Sequence, residues 1–358
     1  MTVRLATDKD QPAWDDFVLN NPQAGPYHLY GWKKAVEKGY GHKAYYFQAE
    51  DESGKIVGIL PLISFRMPWR RKTLVCLPFC DYAGPAGDTS ARDILLRSAI
   101  DIALENGAKD IELRCIHKFE FPSDVRPYRV LSHKVRMLLD LPDSSEALWK
   151  GFKSKLRSQI RRPQKEGLLA KVGHLELLDD FYRVFSINMR DLGSPVHSLK
   201  WFRELFAAYK SHFKVAAVYL PTGEPVAAGI ILHTTHNVCI PWASSLRAYN
   251  RLSPNMLLYW TFLAWAADNG YKVFDFGRST PGEGTFRFKK QWGAEPSPLY
   301  WYHISPESPD FPRAEDVPDS VSMDRESTAR NAAIAIWRKL PLTVANILGA
   351  SIRKYVSL

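Results

Sequence analysis

Apolar and polar positions run through one programme twice along this chain. Two alternating runs around a glycine-containing turn come first: residues 44–49 and 56–63 flank Ser53-Gly54, and residues 215–220 and 226–233 flank Thr222-Gly223. Period-two alternation across such a turn predicts a β-hairpin. An apolar run of helical length follows, 93–105 and again 255–268, and each stops at Asn-Gly. Glycine supplies the left-handed residue that ends a helix, so each run predicts a helix with a short strand after it. Those strands echo each other. Asn106-Gly107-Ala108-Lys109-Asp110-Ile111-Glu112-Leu113-Arg114 returns as Asn269-Gly270-Tyr271-Lys272-Val273-Phe274-Asp275-Phe276, followed by Gly277 and Arg278. Two copies of one α/β unit are implied.

Weaker patterns fill the remainder. Residues 14–19 read as a short helix and 27–37 as a second, after the breakers Pro22 and Gly25-Pro26. The basic turn Arg66-Met67-Pro68-Trp69-Arg70-Arg71-Lys72 suits a solvated loop or a phosphate site, and the glycine-proline loop 77–88 suits a cleft wall or a tight connection. On a single helix over 149–167, Lys150, Lys153, Arg157 and Arg161 share one face, either solvated or set against phosphates. Arg190 ends a helix near Gly193 and Pro195, as a cap for carbonyls or a ligand for an anion. Past Pro296 one more strand, 299–304, is expected to close the second domain. The predicted domains are thus 1–140 and 141–304, with a proline- and acid-rich linker at 305–327 and a basic tail at 328–358. Pro341 divides the tail into two short amphipathic helices, which either lie on an anionic membrane surface or fold back on the domains.

Charge and chemistry narrow the function. A net charge of +10 favours an anionic partner: a phosphorylated small molecule, a nucleic acid or a membrane face. Four scattered cysteines without a matching histidine cluster read as buried thiols of a reducing compartment, and no metal or redox cofactor is implied. With no signal-peptide run and no window of about 20 apolar residues, a cytoplasmic location is expected, with peripheral contact to the inner membrane through the tail. Nucleophile elbow, Walker loop, dinucleotide fingerprint and His-Glu-x-x-His helix are all missing from the sequence, which removes the usual support for hydrolases, kinases, dehydrogenases and metalloproteases. Only the second copy continues into Thr280-Pro281-Gly282-Glu283-Gly284-Thr285-Phe286-Arg287-Phe288-Lys289-Lys290-Gln291-Trp292-Gly293, so the active half is expected there.

This order of elements resembles the GCN5-related N-acyltransferase (GNAT) fold. The family's acyl-CoA members hold pyrophosphate on a glycine-rich turn before the repeat helix, whereas the matching turn here, Arg247-Ala248-Tyr249-Asn250-Arg251-Leu252-Ser253-Pro254-Asn255-Met256, has no glycine. Together with Trp242-Ala243-Ser244-Ser245 and Phe286-Arg287-Phe288-Lys289-Lys290-Gln291-Trp292-Gly293, the duplicated unit looks like the FemAB family. It is similar in particular to FemAB-like proteins associated with the PEP-CTERM/exosortase system, through Phe274-Asp275-Phe276-Gly277-Arg278-Ser279 and Trp337-Arg338-Lys339-Leu340-Pro341. FemAB members transfer amino acids from aminoacyl-tRNA to an amine of a peptidoglycan precursor. By that resemblance Lys289 stabilises the developing oxyanion or an anionic substrate, with Arg287, Lys290 and Arg278 beside it. Arg190, ahead of Asp191, holds precursor phosphate, Lys155 and Arg157 match the family's Lys-x-Arg, and Asp88 accepts the amine proton. Lys289 and Arg287 also alternate as they would on a solvated strand edge. The implied reaction is aminoacyl or acyl transfer to an amine of a phosphorylated envelope precursor, from aminoacyl-tRNA or acyl-CoA. An acyl-CoA-dependent N-acyltransferase of an exopolysaccharide amino sugar and a non-catalytic membrane adaptor are the alternatives.

Overall fold

The computed structural model describes residues 1–66, 71–125, 127–235, 237–307 and 328–357. Residues 67–70 of the expected basic turn and most of the expected linker lie outside them. The chain divides into two compact units. One is built from Met1–Arg136, the segment that starts at Ser297, and the last residues from Lys354; the other from Met137–Pro296 and the helices that end at Arg353.

The first unit contains β1 (Thr2–Leu5), α1 (Gln11–Asn20), α2 (Gly31–Tyr40), β2 (Ala44–Glu50), β3 (Ile56–Phe65), β4 (Thr73–Val75), β5 (Ala86–Gly87), α3 (Thr89–Glu105), β6 (Asp110–Cys115) and β7 (Pro127–Leu131). The second contains β8 (Val135–Asp140), α4 (Ser145–Gly151), α5 (Ser154–Lys165), β9 (Leu169–Gly173), α6 (Leu178–Leu192), α7 (Leu199–Tyr209), β10 (Phe213–Tyr219), β11 (Pro225–His233), β12 (Asn237–Ser245), α8 (Pro254–Asp268), β13 (Val273–Ser279), α9 (Gly284–Lys290) and β14 (Glu295–Pro298). The remaining elements are β15 (Tyr300–Ile304), α10 (Thr328–Trp337) and α11 (Leu342–Arg353).

The duplication extends to strand register. In the first sheet, ordered β1-β2-β3-β4-β6-β15-β7, β4 runs parallel to β6 with Thr73 opposite Asp110, Leu74 opposite Ile111 and Val75 opposite Glu112. In the second, ordered β14-β8-β13-β12-β11-β10-β9, β12 runs parallel to β13 with Asn237 opposite Val273, Val238 opposite Phe274 and Cys239 opposite Asp275. The same echo residues therefore occupy the same three rungs. A glycine repeats as well. A Cβ on Gly58 of β3 would lie 2.8 Å from the Ala91 methyl of α3, and one on Gly229 of β11 would lie 3.0 Å from the Phe262 ring of α8. Each copy thus needs a residue without a side chain where its helix crosses its hairpin.

Two expectations change. The strand at 299–304 does not close the second unit: β15 is hydrogen-bonded between β6 and β7 of the first sheet, with Trp301 opposite Arg114. Its pattern marks a strand, but a strand's partner is a non-local property that alternation does not encode. The single cationic helix over 149–167 is two helices, because Lys153 is the extended N-cap of α5. Lys153, Arg157 and Arg161 keep helical spacing, whereas Lys150 sits on α4 and pairs with Glu146 at 2.6 Å.

The glycine-proline loop is anchored by a buried histidine. His28 Nε2 donates to the Gly84 carbonyl at 2.9 Å, and its Nδ1 accepts the Gly25 N–H at 3.1 Å, so the ring is held neutral. Burial lowers its pKa below the ordinary value. Below about 6.5 the unfolded histidine takes a proton that the folded one resists, so stability falls as the pH drops from there through the folded pKa. A thermal-unfolding series from pH 7 to 5 should show this loss, with a shallower slope in His28→Gln.

Candidate functional site

The second unit's sheet opens where its chemistry is concentrated. The parallel register ends at Cys239 and Asp275, although β12 runs on to Ser245 and β13 to Ser279. Pro241 supplies the cause. Ile230 and Leu232 of β11 face Trp242 and Cys239, so β12 carries one extra residue at Ile240-Pro241. Proline has no N–H for the ladder, and a bulge bends its strand, here at the point where β12 leaves β13.

The end of β13 is fixed by α9. Gly277 adopts φ +75°, a backbone conformation that L side chains resist, and kinks the strand. Lys289 is buried, 8% exposed, and its Nζ donates to the carbonyls of Gly277 at 3.0 Å and Arg278 at 2.8 Å. A buried ammonium is tolerable only with such partners, and it places a positive charge in dry surroundings beside the opening. Aromatic rings wall this end: Tyr259 of α8 stacks on Phe276 with centroids 5.6 Å apart and meets Phe288 at 5.0 Å. Burial raises the Tyr259 pKa, so it is a neutral phenol at physiological pH. Phe152, just ahead of α5, meets Trp292 at 5.7 Å.

The first unit fills the equivalent place. By the echo, Gly277 corresponds to Arg114, whose fully buried guanidinium donates to the carbonyls of Cys80 at 2.7 Å and Leu77 at 3.3 Å in the chain that follows β4. Arg114 also bonds Glu112 at 2.7 Å and lies 4.5 Å from the Trp301 ring. One copy places a fully buried arginine at this position, while the other has a glycine there.

The sequence-derived residues separate into groups. Lys289, Arg278, Arg287 and Lys290 lie together along the end of β13 and α9. Their segment is a helix and not a strand edge: Phe288 and Trp292, four residues apart, turn toward each other and toward Tyr259, and this packing overrides the aromatic-cation alternation. Arg287 and Lys290 are exposed, and Lys290 pairs with Glu295. Lys155 is exposed and Arg157 half-buried on the first turn of α5, which buries Leu156, Ile160 and Pro163 and packs on α8. Arg190 lies in the last turn of α6, with Nε and Nη2 donating to Asp191 at 3.0 and 2.8 Å. The carbonyl capping considered for it is performed by the backbone instead, through Gly193 and Ser194 amides bonded to the Arg190 and Met189 carbonyls.

Asp88 stands apart, in the first unit, as the N-cap of α3. Its carboxylate accepts the Ala91 N–H and the Ser90 hydroxyl, both at 2.8 Å, and these bonds lower its pKa. A base working near neutral pH needs the reverse shift. Asp88→Ala should therefore cost about 1 kcal/mol of stability in a urea titration, and Asp88→Asn much less, because the asparagine oxygen still caps.

Two features are not predicted from the sequence. Asn188 of α6 donates to the buried Ser244 hydroxyl of β12 at 3.1 Å, tying the helix that carries Arg190 to the open strand. The other is the bulge in β12, for which a proline inside a predicted central strand is the one available signal. Among the described residues no group of three potential metal ligands occurs, and no helix is long and apolar enough to cross a membrane.

Comparisons with known proteins bear on the fold. Residues 150–290 match the acetyltransferase (GNAT) domain family. No curated protein matches the sequence. Among solved structures, FemX superposes with a TM-score of 0.65 at 16% identity, over 84% of this chain and 97% of FemX. The C-terminal domain of a protein from Agrobacterium fabrum described as a putative lysylphosphatidylglycerol synthetase gives 0.55 at 14% identity, over 83% of this chain and 91% of that one. A tandem GNAT protein from the clavulanic acid biosynthesis pathway gives 0.53 at 10% identity, over 86% of this chain and all 100% of that one. The chain is a tandem GNAT-like α/β fold, and the opened second unit is the one that matches the GNAT domain.

Proposed function

We propose that the second unit is an acyltransferase that joins an activated acyl group, an aminoacyl ester in the first instance, to the amine of a phosphorylated cell-envelope precursor. The observation that carries this reading is the divergence of β12 from β13, with Lys289 buried at its edge, inside the segment that matches the GNAT domain. In the reaction the amine nitrogen attacks the ester carbonyl. The C–N bond forms, the C–O bond to the donor breaks, and the departing oxygen takes up the proton that the amine gives up. Activation has occurred elsewhere, so the protein's work is to align two reactants and to favour the negative charge that develops on the carbonyl oxygen. A cation held in a dry site suits the second task. Arg190, Lys155 and Arg157 are proposed to hold the precursor phosphates. The FemAB resemblance and the likeness to FemX favour an aminoacyl donor and a peptidoglycan-type or exopolysaccharide acceptor.

A second reading keeps the fold and takes acyl-CoA as donor, with an amino sugar as acceptor. The GNAT match and the likeness to a tandem GNAT protein favour it. So does the start of α8, where Ser253 takes the left-handed conformation (φ +55°) in place of a glycine, next to the exposed Arg247 and Arg251. Purified protein given labelled aminoacyl-tRNA or labelled acyl-CoA with envelope-precursor extract distinguishes the two. Label from tRNA supports the first reading, and label from CoA the second. Label from neither, with a competent extract, removes both and leaves the adaptor reading.

A further inference from the structure

Helices α10 and α11 pack back on α6 of the second unit. In α11, Ala345 and Gly349 are buried; the helix lies against α6, and a Cβ on Gly349 would come within 2.8 Å of the Val196 nitrogen. Arg353 continues that face, with Nε 3.1 Å from His197 Nε2. In α10, Ile334 lies over Gly193. The flank of α11 beside that buried face presents Val344, Ile347, Leu348 and Ile352 at helical spacing, and α10 exposes Ile336; Ile347 and Ile336 are 64% and 65% exposed. Single exposed aliphatics are ordinary, whereas four along one flank of a helix form a stripe that needs an occupant.

Charge selects the occupant. Residues 328–358 contain Arg330, Arg338, Lys339, Arg353 and Lys354 and no aspartate or glutamate. Arg338 and Lys339 are exposed at the turn between the helices, at one end of the stripe. A second copy of the same surface brings no carboxylate to pair with these cations, so it leaves them uncompensated. An anionic headgroup layer neutralises them while the aliphatic side chains enter the acyl boundary. We infer that the exposed face of α10 and α11 docks the protein on an anionic lipid surface, with α11 lying in the plane of the interface. This inference does not rest on the acyl-transfer reading, and its test contains no donor or acceptor.

The full chain is sedimented with vesicles of phosphatidylcholine alone or mixed with phosphatidylglycerol, and its oligomeric state is measured by sedimentation velocity. Binding to the mixed vesicles is expected to weaken with added salt, to be lost on pure phosphatidylcholine, and to weaken about tenfold or more in Ile347→Glu/Ile352→Glu. Circular dichroism checks the fold of that variant. The exposed pair Arg338→Glu/Lys339→Glu supplies a second test that spares the apolar stripe, and it too should weaken binding to the mixed vesicles. Failure of the wild-type chain to bind, or equal binding by wild type and variants, overturns the inference. A dimer that Ile347→Glu disperses also overturns it, since the face would then be a protein interface.

Discussion

Lys289→Met is expected to lower the rate constant for acyl transfer by about 10²–10³-fold, the loss seen when one donor or charge is removed from a preorganised oxyanion site. Methionine fills much the same volume but leaves the Gly277 and Arg278 carbonyls without their donor. The kinked end of β13 then loses its anchor as the opening loses its buried cation. Because the charge matters most when the carbonyl oxygen becomes negative, kcat and kcat/KM should fall together. Lys289 thus has two contributions, the buried charge and the hold on the end of β13. Lys289→Arg separates its two contributions: the charge is kept, but the planar guanidinium cannot reproduce two short bonds in an 8% exposed site. A rate for arginine as low as for methionine would assign the effect to geometry. Single-turnover kinetics with saturating donor makes the comparison.

The second large effect is on stability. Arg114→Met should destabilise the first unit by about 3–5 kcal/mol, the range for breaking a buried charge pair from one side. The guanidinium is fully buried and bridges Glu112, the carbonyls of Leu77 and Cys80, and the face of Trp301. Its removal leaves the Glu112 carboxylate, 13% exposed, without that partner, and opens a void beside β15. Roughly 10 °C or more should be lost from the first unit's unfolding transition in calorimetry. Glu112→Gln added to Arg114→Met should recover part of the loss, since the carboxylate that loses the guanidinium is then neutral and neighbours in one network do not add. A double variant as unstable as the sum of the singles would show that Arg114 serves packing alone.

Arg114 and Gly277, the residue whose carbonyl Lys289 holds, occupy equivalent places, and the pair explains what the sequence discloses. Hairpins, helices ended by Asn-Gly and short strands are set by local spacing, so the duplication is legible in the amino-acid order alone, down to the echo whose residues take the same parallel register in both sheets. The residues that distinguish the copies, Arg114 and Gly277, also stand in the echo, but their roles depend on a contact with Cys80, 34 residues away, and on one with Lys289 across the turn into α9. Non-local pairing likewise assigns β15 to the first sheet. The segment 284–290 alternates as a strand would, and only the packing of Phe288 and Trp292 on Tyr259 makes it helical. Asp88 has the loop position of a base, but three residues of spacing to the Ala91 amide make it a cap. Pro241 is plain in the sequence, yet its effect depends on which strands lie beside it, because a proline bends only a ladder that exists.

The central claim is that the second unit acylates an amine. We would supply the full chain with a labelled aminoacyl-tRNA pool or acyl-CoA pool and a phosphorylated envelope precursor, its amine either free or blocked by acetylation, and read the product by mass and by resistance to mild base. The account predicts label on the free-amine precursor in a base-stable amide linkage, none on the blocked precursor, and a strong reduction in Lys289→Met. Base-labile label on both precursors, or transfer undiminished in Lys289→Met, would contradict it.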